Sequence, residues 1–171
     1  AMPTSLRTSE LALAGGIPLC DIKHTVSLDI DFDGADRITP SKQMIKVARL
    51  NHPRNQFRIA DMLSFRCSQN SFDVALLLHN VIDMLHPKER RCELLRHIRG
   101  LLTQDGILIA SSHLRGKSQR QGYVKEDYHG ATIHNYRSSL SEWCHEVETA
   151  GFNVLSAMQD FRKNECDWIY V

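Results

Sequence analysis

A run of seven residues, FDVALLL at positions 72–78, constrains the fold more than any other stretch of the chain. Every residue in it except Asp73 is apolar, and the run is far too short to cross a membrane. A strand that is apolar on both faces is typical of the centre of a parallel sheet, because helices cover both faces of such a sheet. The run therefore predicts a central strand in an α/β protein.

Short apolar runs and amphipathic segments alternate along the rest of the chain, which favours a succession of strands and helices. Helices are expected at 17–28, from Thr39 or Ser41 onward, at 87–102 and at 139–150, the last with a capping box formed by Ser139 and Glu142. The expected strands are residues 6–14, 30–38, 56–61, 72–78, 106–112, 152–158 and 167–171.

The last two of these strands are separated by only eight residues, 159–166. A parallel crossover needs a dozen residues or more, so this pair must be antiparallel. The expected fold is a doubly wound, mostly parallel, seven-stranded α/β sheet with an antiparallel C-terminal hairpin. A chain of 171 residues fits one domain, residues 1–171.

Charge and cysteine content exclude several classes of protein. The chain has 21 basic and 20 acidic residues, so no overall field attracts it to nucleic acid or to an anionic membrane. Its five cysteines form no C-x-x-C pair, which argues against a disulfide framework or a thiolate zinc site and favours a reducing, cytoplasmic setting.

The acidic run SLDIDFDGADRITPSK matches the first half of a helix-loop-helix calcium site, with Asp29, Asp31 and Asp33 at ligand positions. The twelfth position of such a loop requires a bidentate glutamate, and here it is Pro40. We therefore expect no metal site.

Six motifs occur in a characteristic order and spacing. ELALAGGIP is an acidic strand followed by a small-residue turn, GADRITPSKQMIKVA places an acid 20 residues after that turn, and ADML adds a third acid. NSFDVALLLHN, LLTQDGILIASSH and HNYRSSLSEWCHEVETAGFNVL follow. In this order the chain resembles the class I S-adenosylmethionine-dependent methyltransferases that act on small molecules, and the resemblance runs from about Glu10 to Val171.

The resemblance implies a Rossmann-like methyltransferase fold, S-adenosylmethionine as cofactor with S-adenosylhomocysteine as product, and a nitrogen or oxygen of a small-molecule acceptor as substrate. It implies no nucleic-acid or membrane partner, and a monomer or homodimer. The cofactor-binding residues that it implies are Glu10, Ala12, Ala14, Gly16, Asp36, Met44, Asp61, Met62 and His79. The residues that it implies for catalysis are His79, His134 and Tyr136.

Two alternatives stay open. Ala12 and Ala14 stand where the family has glycines, and a Cβ there obstructs the close approach of the strand turn to a ligand. The chain can therefore also be a catalytically inactive, methyltransferase-like binding domain with weak or no cofactor affinity. A nicotinamide-dependent oxidoreductase is the second alternative, disfavoured by the antiparallel hairpin.

A basic helix, KERRCELLRHIR, carries five cations: Lys88, Arg90, Arg91, Arg96 and Arg99. Glutamates intersperse them and the opposite face of the helix is apolar. We expect these cations to form a solvated face.

Overall fold

A computed structural model describes residues 9–13, 24–28, 46, 49–51, 53, 62–66, 68–70, 72–78, 81–114, 122–128, 131–160 and 168–170. In these residues there are eight strands, two α-helices longer than one turn and a short 3-10 helix at Ile82–Met84. The strands are β1 (Ser9–Leu13), β2 (His24–Leu28), β3 (Phe72–Leu77), β4 (Leu102–Leu114), β5 (Gly122–Tyr128), β6 (Ala131–Ser138), β7 (Met158–Asp160) and β8 (Trp168–Tyr170). The helices are α1 (Glu89–Leu101) and α2 (Leu140–Thr149).

The strands form one mixed sheet with the order β2-β1-β3-β4, in which all neighbours are parallel. Beyond Ala110, β4 pairs in parallel with the end of β6 and antiparallel with β8. Strands β5 and β6 form an antiparallel hairpin, and β7 pairs antiparallel with β8. Strand β3 lies between β1 and β4, which confirms the prediction that the apolar run at 72–78 is a central strand.

The hydrophobic core lies between this sheet and both helices. Helix α1 contributes residues spaced three or four apart, which is the spacing of one helical face. They pack with Trp143 and Val147 of α2 and with strand residues such as Ala75, Leu77 and Ala110. The core residues of α1 are Leu94, Leu95, Ile98 and Leu101.

Local signals predicted both helices. Helix α1 falls inside the expected range 87–102 and stops before Gln104, Asp105 and Gly106. Helix α2 begins with the predicted capping box, in which the Ser139 hydroxyl accepts a hydrogen bond from the backbone N–H of Glu142 and the Glu142 carboxylate accepts one from the N–H of Ser139. Of the helix expected after Thr39 or Ser41, Lys46 and residues 49–51 are helical.

Three expectations about the strands were wrong. Residues 24–28 were predicted to be helical but form β2, because Thr25 and Val26 are β-branched and the segment pairs in parallel with β1. Residues 122–128 and 131–138 were not assigned to strands but form β5 and β6, so with β2 the described part of the chain holds three strands that were not expected. The strand expected at 152–158 begins only at Met158.

Two other expected strands, residues 30–38 and 56–61, lie outside the described residues. Neither helix in the described part of the chain combines the length and the apolar character that a membrane span requires.

Candidate functional site

Three neighbouring strands end at the same level of the sheet. Leu13, the last residue of β1, pairs with Leu28 at the end of β2 and with Leu77 at the end of β3. The segments that follow these strands therefore leave from one rim, at the carboxyl ends of parallel strands. In open α/β sheets this is the edge where ligands bind.

The predicted cofactor-binding residues are only partly described. Ala14, Gly16, Asp36, Met44, Asp61 and His79 lie outside the described residues. Ala12 is the penultimate residue of β1, close to the rim.

Glu10, expected among the cofactor-binding residues, lies inside its strand and not at the carboxyl end of that strand. It pairs with Thr25 and Val74, three residues before β1 ends at Leu13. At about 3.3 Å per residue, this puts its Cα roughly 10 Å from the rim. The strand runs on past Glu10 because residues 11–13 pair on both edges.

Met62 was expected among the cofactor-binding residues. The structure instead buries it, with 1% of its surface exposed, in the hydrophobic core beside Phe65. The apolar character of this residue is therefore used in packing, and a ligand-facing position is not what the structure shows.

The β5–β6 hairpin supplies polar aromatic side chains next to the 3-10 helix Ile82–Met84. Tyr123 and Tyr136 are cross-strand partners whose ring centroids lie 5.0 Å apart. The ring of His86 lies 4.6 Å from that of Tyr123 and 6.2 Å from that of His134. Of the two predicted catalytic residues on β6, His134 is exposed and Tyr136 is buried.

Tyr136 packs against two cations of the α1 region. The guanidinium carbon of Arg91 lies 4.6 Å from the Tyr136 ring centroid, and Nζ of Lys88 lies 5.1 Å from it. A hydrogen bond with the Tyr136 side chain is the main cause that raises the pKa of Lys88, although burial opposes the shift. Burial raises the pKa of Tyr123 to about 12, and its hydroxyl donates to the backbone oxygen of Leu85. Both side chains therefore hold their protons at neutral pH.

A buried ion-pair network anchors this region to the sheet. Arg91 is fully buried and donates from Nη1 to Oδ1 of Asp83 at 2.7 Å. Its Nε and Nη2 donate to the two carboxylate oxygens of Glu146 at 2.9 and 3.0 Å. Burial acts to lower the pKa of Arg91, but the two carboxylates outweigh it and raise the pKa above its ordinary value.

Asp83 connects the same network to the end of β4. Its Oδ1 also accepts from the hydroxyl of Ser112 at 2.6 Å, and its Oδ2 accepts from the backbone N–H of His113 at 2.7 Å. The Nδ1 of His113 lies 3.3 Å from the same Oδ2. The 3-10 helix after β3 and the carboxyl end of β4 are thus fixed to each other by one carboxylate.

The expectation of a solvated cationic face was wrong for Arg91. Its position was readable from the sequence, because Arg91, Leu94, Leu95 and Ile98 follow the spacing of one helical face and the other three are core residues. Asp83 and Glu146 were not among the expected site residues, because no local pattern in the sequence indicates them.

A second polar cluster lies on the other face of the hairpin. The Glu126 carboxylate accepts from Nδ2 of Asn135 at 2.7 Å and from Nη2 of Arg137 at 2.5 Å. Burial opposes ionisation of Glu126, but these two donors prevail and lower its pKa. Within the residues that the structure describes, no group of three or more potential ligands is placed to hold a metal ion.

Comparison with known families gives two matches to different parts of the chain. Residues 34–110 match the family described as "Methyltransferase domain". Residues 1–57 match the family described as "Ribose 5-phosphate isomerase A (phosphoriboisomerase A)". The segment that carries the predicted Glu10-to-Gly16 motif therefore resembles a second family, which the sequence analysis did not identify.

Curated ribose-5-phosphate isomerases match a short part of the chain. Ribose-5-phosphate isomerase A of Thermosynechococcus vestitus is 41% identical over 63 residues, which are 37% of this chain and 26% of that protein. The corresponding enzyme of Maricaulis maris is 42% identical over 45 residues, 26% of this chain and 19% of that protein. The chain thus spans about a fifth to a quarter of the length of these two relatives.

Solved structures resemble nearly the whole chain. The 1,6-didemethyltoxoflavin-N1-methyltransferase of Burkholderia thailandensis, solved with S-adenosylhomocysteine, has a TM-score of 0.68 at 15% identity, covering 96% of this chain and 70% of its own. An S-adenosylmethionine-dependent methyltransferase of Mesorhizobium loti has a TM-score of 0.69 at 12% identity, covering 99% and 91%. The solved structures therefore show that the chain has the fold of the S-adenosylmethionine-dependent methyltransferases, and residues 34–110 are similar to the methyltransferase domain family.

Proposed function

We propose that this protein is a methyltransferase that uses S-adenosylmethionine to methylate a nitrogen or oxygen of a small-molecule acceptor. The observation that carries the proposal is the match of residues 34–110 to a methyltransferase domain within a chain that has this fold almost throughout. One of the similar structures is an N1-methyltransferase of a small heterocycle, which supports a nitrogen acceptor. The proposed setting is the cytoplasm, with the protein a monomer or homodimer that needs no nucleic acid or membrane.

The common rim of β1, β2 and β3 supports a cofactor site. The three strands end level with one another, so the segments after them can meet around one ligand. We propose that the adenosyl group is held by the small residues Ala12, Ala14 and Gly16 and by the acids Asp36 and Asp61, with Met44 beside them. Glu10 and Met62 are the least favoured members of the proposed set, because one lies inside its strand and the other in the core.

The acceptor is proposed to lie between the end of β3 and the hairpin. The cofactor supplies an activated methyl group, so the chain's residues need only position the acceptor, exclude water and remove one proton. His79 is the first candidate for the proton acceptor. His134 is the second, because it is exposed on the hairpin.

Tyr136 is a weaker candidate for proton transfer than the sequence suggested. Its ring is buried against Arg91, and its side chain interacts with Lys88, whose pKa it raises. We propose that it positions the hairpin on α1.

One observation favours the alternative of an inactive binding domain. The segment that supplies β1 and β2 matches the isomerase family, and the two alanines fall in it. A turn selected for another ligand would bind S-adenosylmethionine weakly.

Thermal unfolding with S-adenosylhomocysteine separates the two functions. A ligand at 100 times its Kd adds about 2.7 kcal/mol to stability, or roughly 5–10 °C in Tm for a chain of this size. The active enzyme should show such a shift in Tm. Asp36→Asn and Asp61→Asn should reduce the shift. Asp105→Asn, at an exposed position of β4, is the control and should leave the shift unchanged. No shift at millimolar ligand would instead support the inactive domain.

A further inference from the structure

Basic side chains collect on one face of the β5–β6 hairpin. Residues that lie directly opposite each other in an antiparallel pair project on the same face, with Cβ atoms about 5 Å apart. Tyr123 lies opposite Tyr136, and two residues further along β5 Lys125 lies opposite His134. Since side chains two residues apart on a strand also share a face, these four side chains form one patch.

His86 adds a further basic side chain to this patch. Its ring centroid lies 4.6 Å from that of Tyr123 and 6.2 Å from that of His134, which are diagonal neighbours in the patch. His86 therefore packs beside both rows of the patch, within reach of the long Lys125 side chain. His86, Lys125 and His134 are all exposed, and we call these three residues the basic cluster.

The acids around the basic cluster do not neutralise it. Within the described part of the chain, none of its three side chains forms an ion pair. The buried acids of this region pair with other cations: Asp83 and Glu146 bind Arg91, and Glu126 binds Arg137 on the opposite face of the hairpin.

Two further acids lie near the cluster without pairing with it. Asp127 is the next residue of β5 on the same face, and Glu89 interacts electrostatically with Tyr123 from the start of α1. Lys88 adds a positive charge nearby, and its hydrogen bond is to the neutral side chain of Tyr136. The cluster therefore presents N–H donors and positive charge to the solvent.

We propose that the basic cluster binds the carboxylate or phosphate group of a small molecule. Lys125 supplies a positive charge, and His86 and His134 each supply an N–H donor, which are the groups that hold oxyanions in proteins. In the methyl transfer proposed above, this group belongs to the acceptor, and that part of the inference rests on the proposed function. An acceptor held here lies beside His134, the second candidate for removing its proton.

NMR of the histidine side chains, without S-adenosylmethionine, tests the anion site. Benzoate, phenyl phosphate and the neutral benzyl alcohol are titrated into the whole chain at constant pH, and the Cε1–H resonances are followed. We expect saturable shifts of His86 and His134 with at least one anion and none with benzyl alcohol. The anion that binds more tightly distinguishes a carboxylate from a phosphate. His145, exposed on α2 outside the cluster, should not shift.

Two variants that each remove one charge locate the site. Lys125→Gln should weaken anion binding about three- to fivefold, which corresponds to the loss of one exposed ion pair. Arg96→Gln removes an exposed cation of α1 and should leave the Kd unchanged. Neither substitution should change Tm. Added salt should weaken binding, because it screens exposed charges.

The absence of saturable shifts at tens of millimolar of either anion, or equal shifts with benzyl alcohol, overturns the inference. Equal weakening by Lys125→Gln and Arg96→Gln also overturns it, because binding would then follow the overall charge of the protein. Failure of the proposed function gives a different result: S-adenosylhomocysteine produces no thermal shift while the anion still binds. In that case the anion site stands and its assignment to a methyl acceptor is wrong.

Discussion

The guanidinium of Arg91 and the carboxylate of Glu146 form a two-point ion pair, Nε to Oε1 and Nη2 to Oε2, across 55 positions of sequence. Both side chains are almost completely buried, and the guanidinium also lies between the rings of Tyr136 and Trp143. Helices α1 and α2 are therefore joined at the same point where Tyr136 of the hairpin packs against α1.

Arg91→Met should destabilise the fold by about 3–5 kcal/mol, because it leaves two buried carboxylates, Asp83 and Glu146, without their cation. Urea unfolding followed by circular dichroism measures this loss. Arg90→Met is the control, since the neighbouring arginine is half-exposed and its replacement should cost about 0.5 kcal/mol or less. A cost below 1 kcal/mol for Arg91→Met would show that the ion pair contributes little.

The features of this site that can be predicted from the sequence are those whose interacting residues lie close together along the chain. Helix α2 was predictable because Ser139 and Glu142 form their capping box within one turn. Strand β3 was predictable because its burial on both faces demands an apolar run. Arg91 could be placed on the core face by its spacing, but its partner Glu146 is 55 positions away and no local pattern connects them.

The strands that were not predicted from the sequence form because they pair with other strands. Residues 122–138 are mostly polar, and they become β5 and β6 because they pair with each other and because Tyr136 packs on Arg91. The reverse holds for residues 152–157, whose apolar pattern predicts a strand, because within the described part of the chain no strand pairs with them. Strand propensity alone therefore does not determine whether a segment forms a strand, because pairing with a neighbouring strand is also required.

The hairpin should lose stability in acid through Glu126. Since the fold lowers the pKa of this carboxylate below its ordinary value of 4.5, its ionised form stabilises the native state at pH above about 4.5. That contribution is lost as the pH falls through the lower, folded-state pKa. Glu126→Gln should therefore be less stable than wild type at pH 7, and the difference in the free energy of unfolding should shrink as the pH is lowered below 4.5. A gap that stays constant with pH would show that the effect of the substitution is steric.

If His134 removes the acceptor proton, His134→Ala should slow methyl transfer about 100-fold or more without changing Tm. The assay follows tritiated methyl from S-adenosylmethionine into a metabolite extract. Thr132→Ala is the matched control, because Thr132 is also exposed and lies two residues earlier on the same face of β6. Equal transfer by wild type and His134→Ala would leave His79 as the candidate.

Replacing Gly151 or Gly100 with alanine should change the free energy of unfolding in opposite directions. Gly151 follows α2 with φ of +97°, a left-handed conformation that an L side chain adopts only with strain, so Gly151→Ala should destabilise the fold by about 1–2 kcal/mol. Gly100 lies inside α1, and a Cβ there would meet no atom within 4 Å. Gly100→Ala should therefore stabilise the fold by about 0.5–1 kcal/mol, because alanine loses less backbone entropy than glycine when it joins a helix. Chemical denaturation of the two single variants measures both changes in the free energy of unfolding.

Equal destabilisation by both would mean that crowding or strain at Gly100 outweighs the entropy gain. Stabilisation by both would mean that the turn after α2 does not require the left-handed conformation.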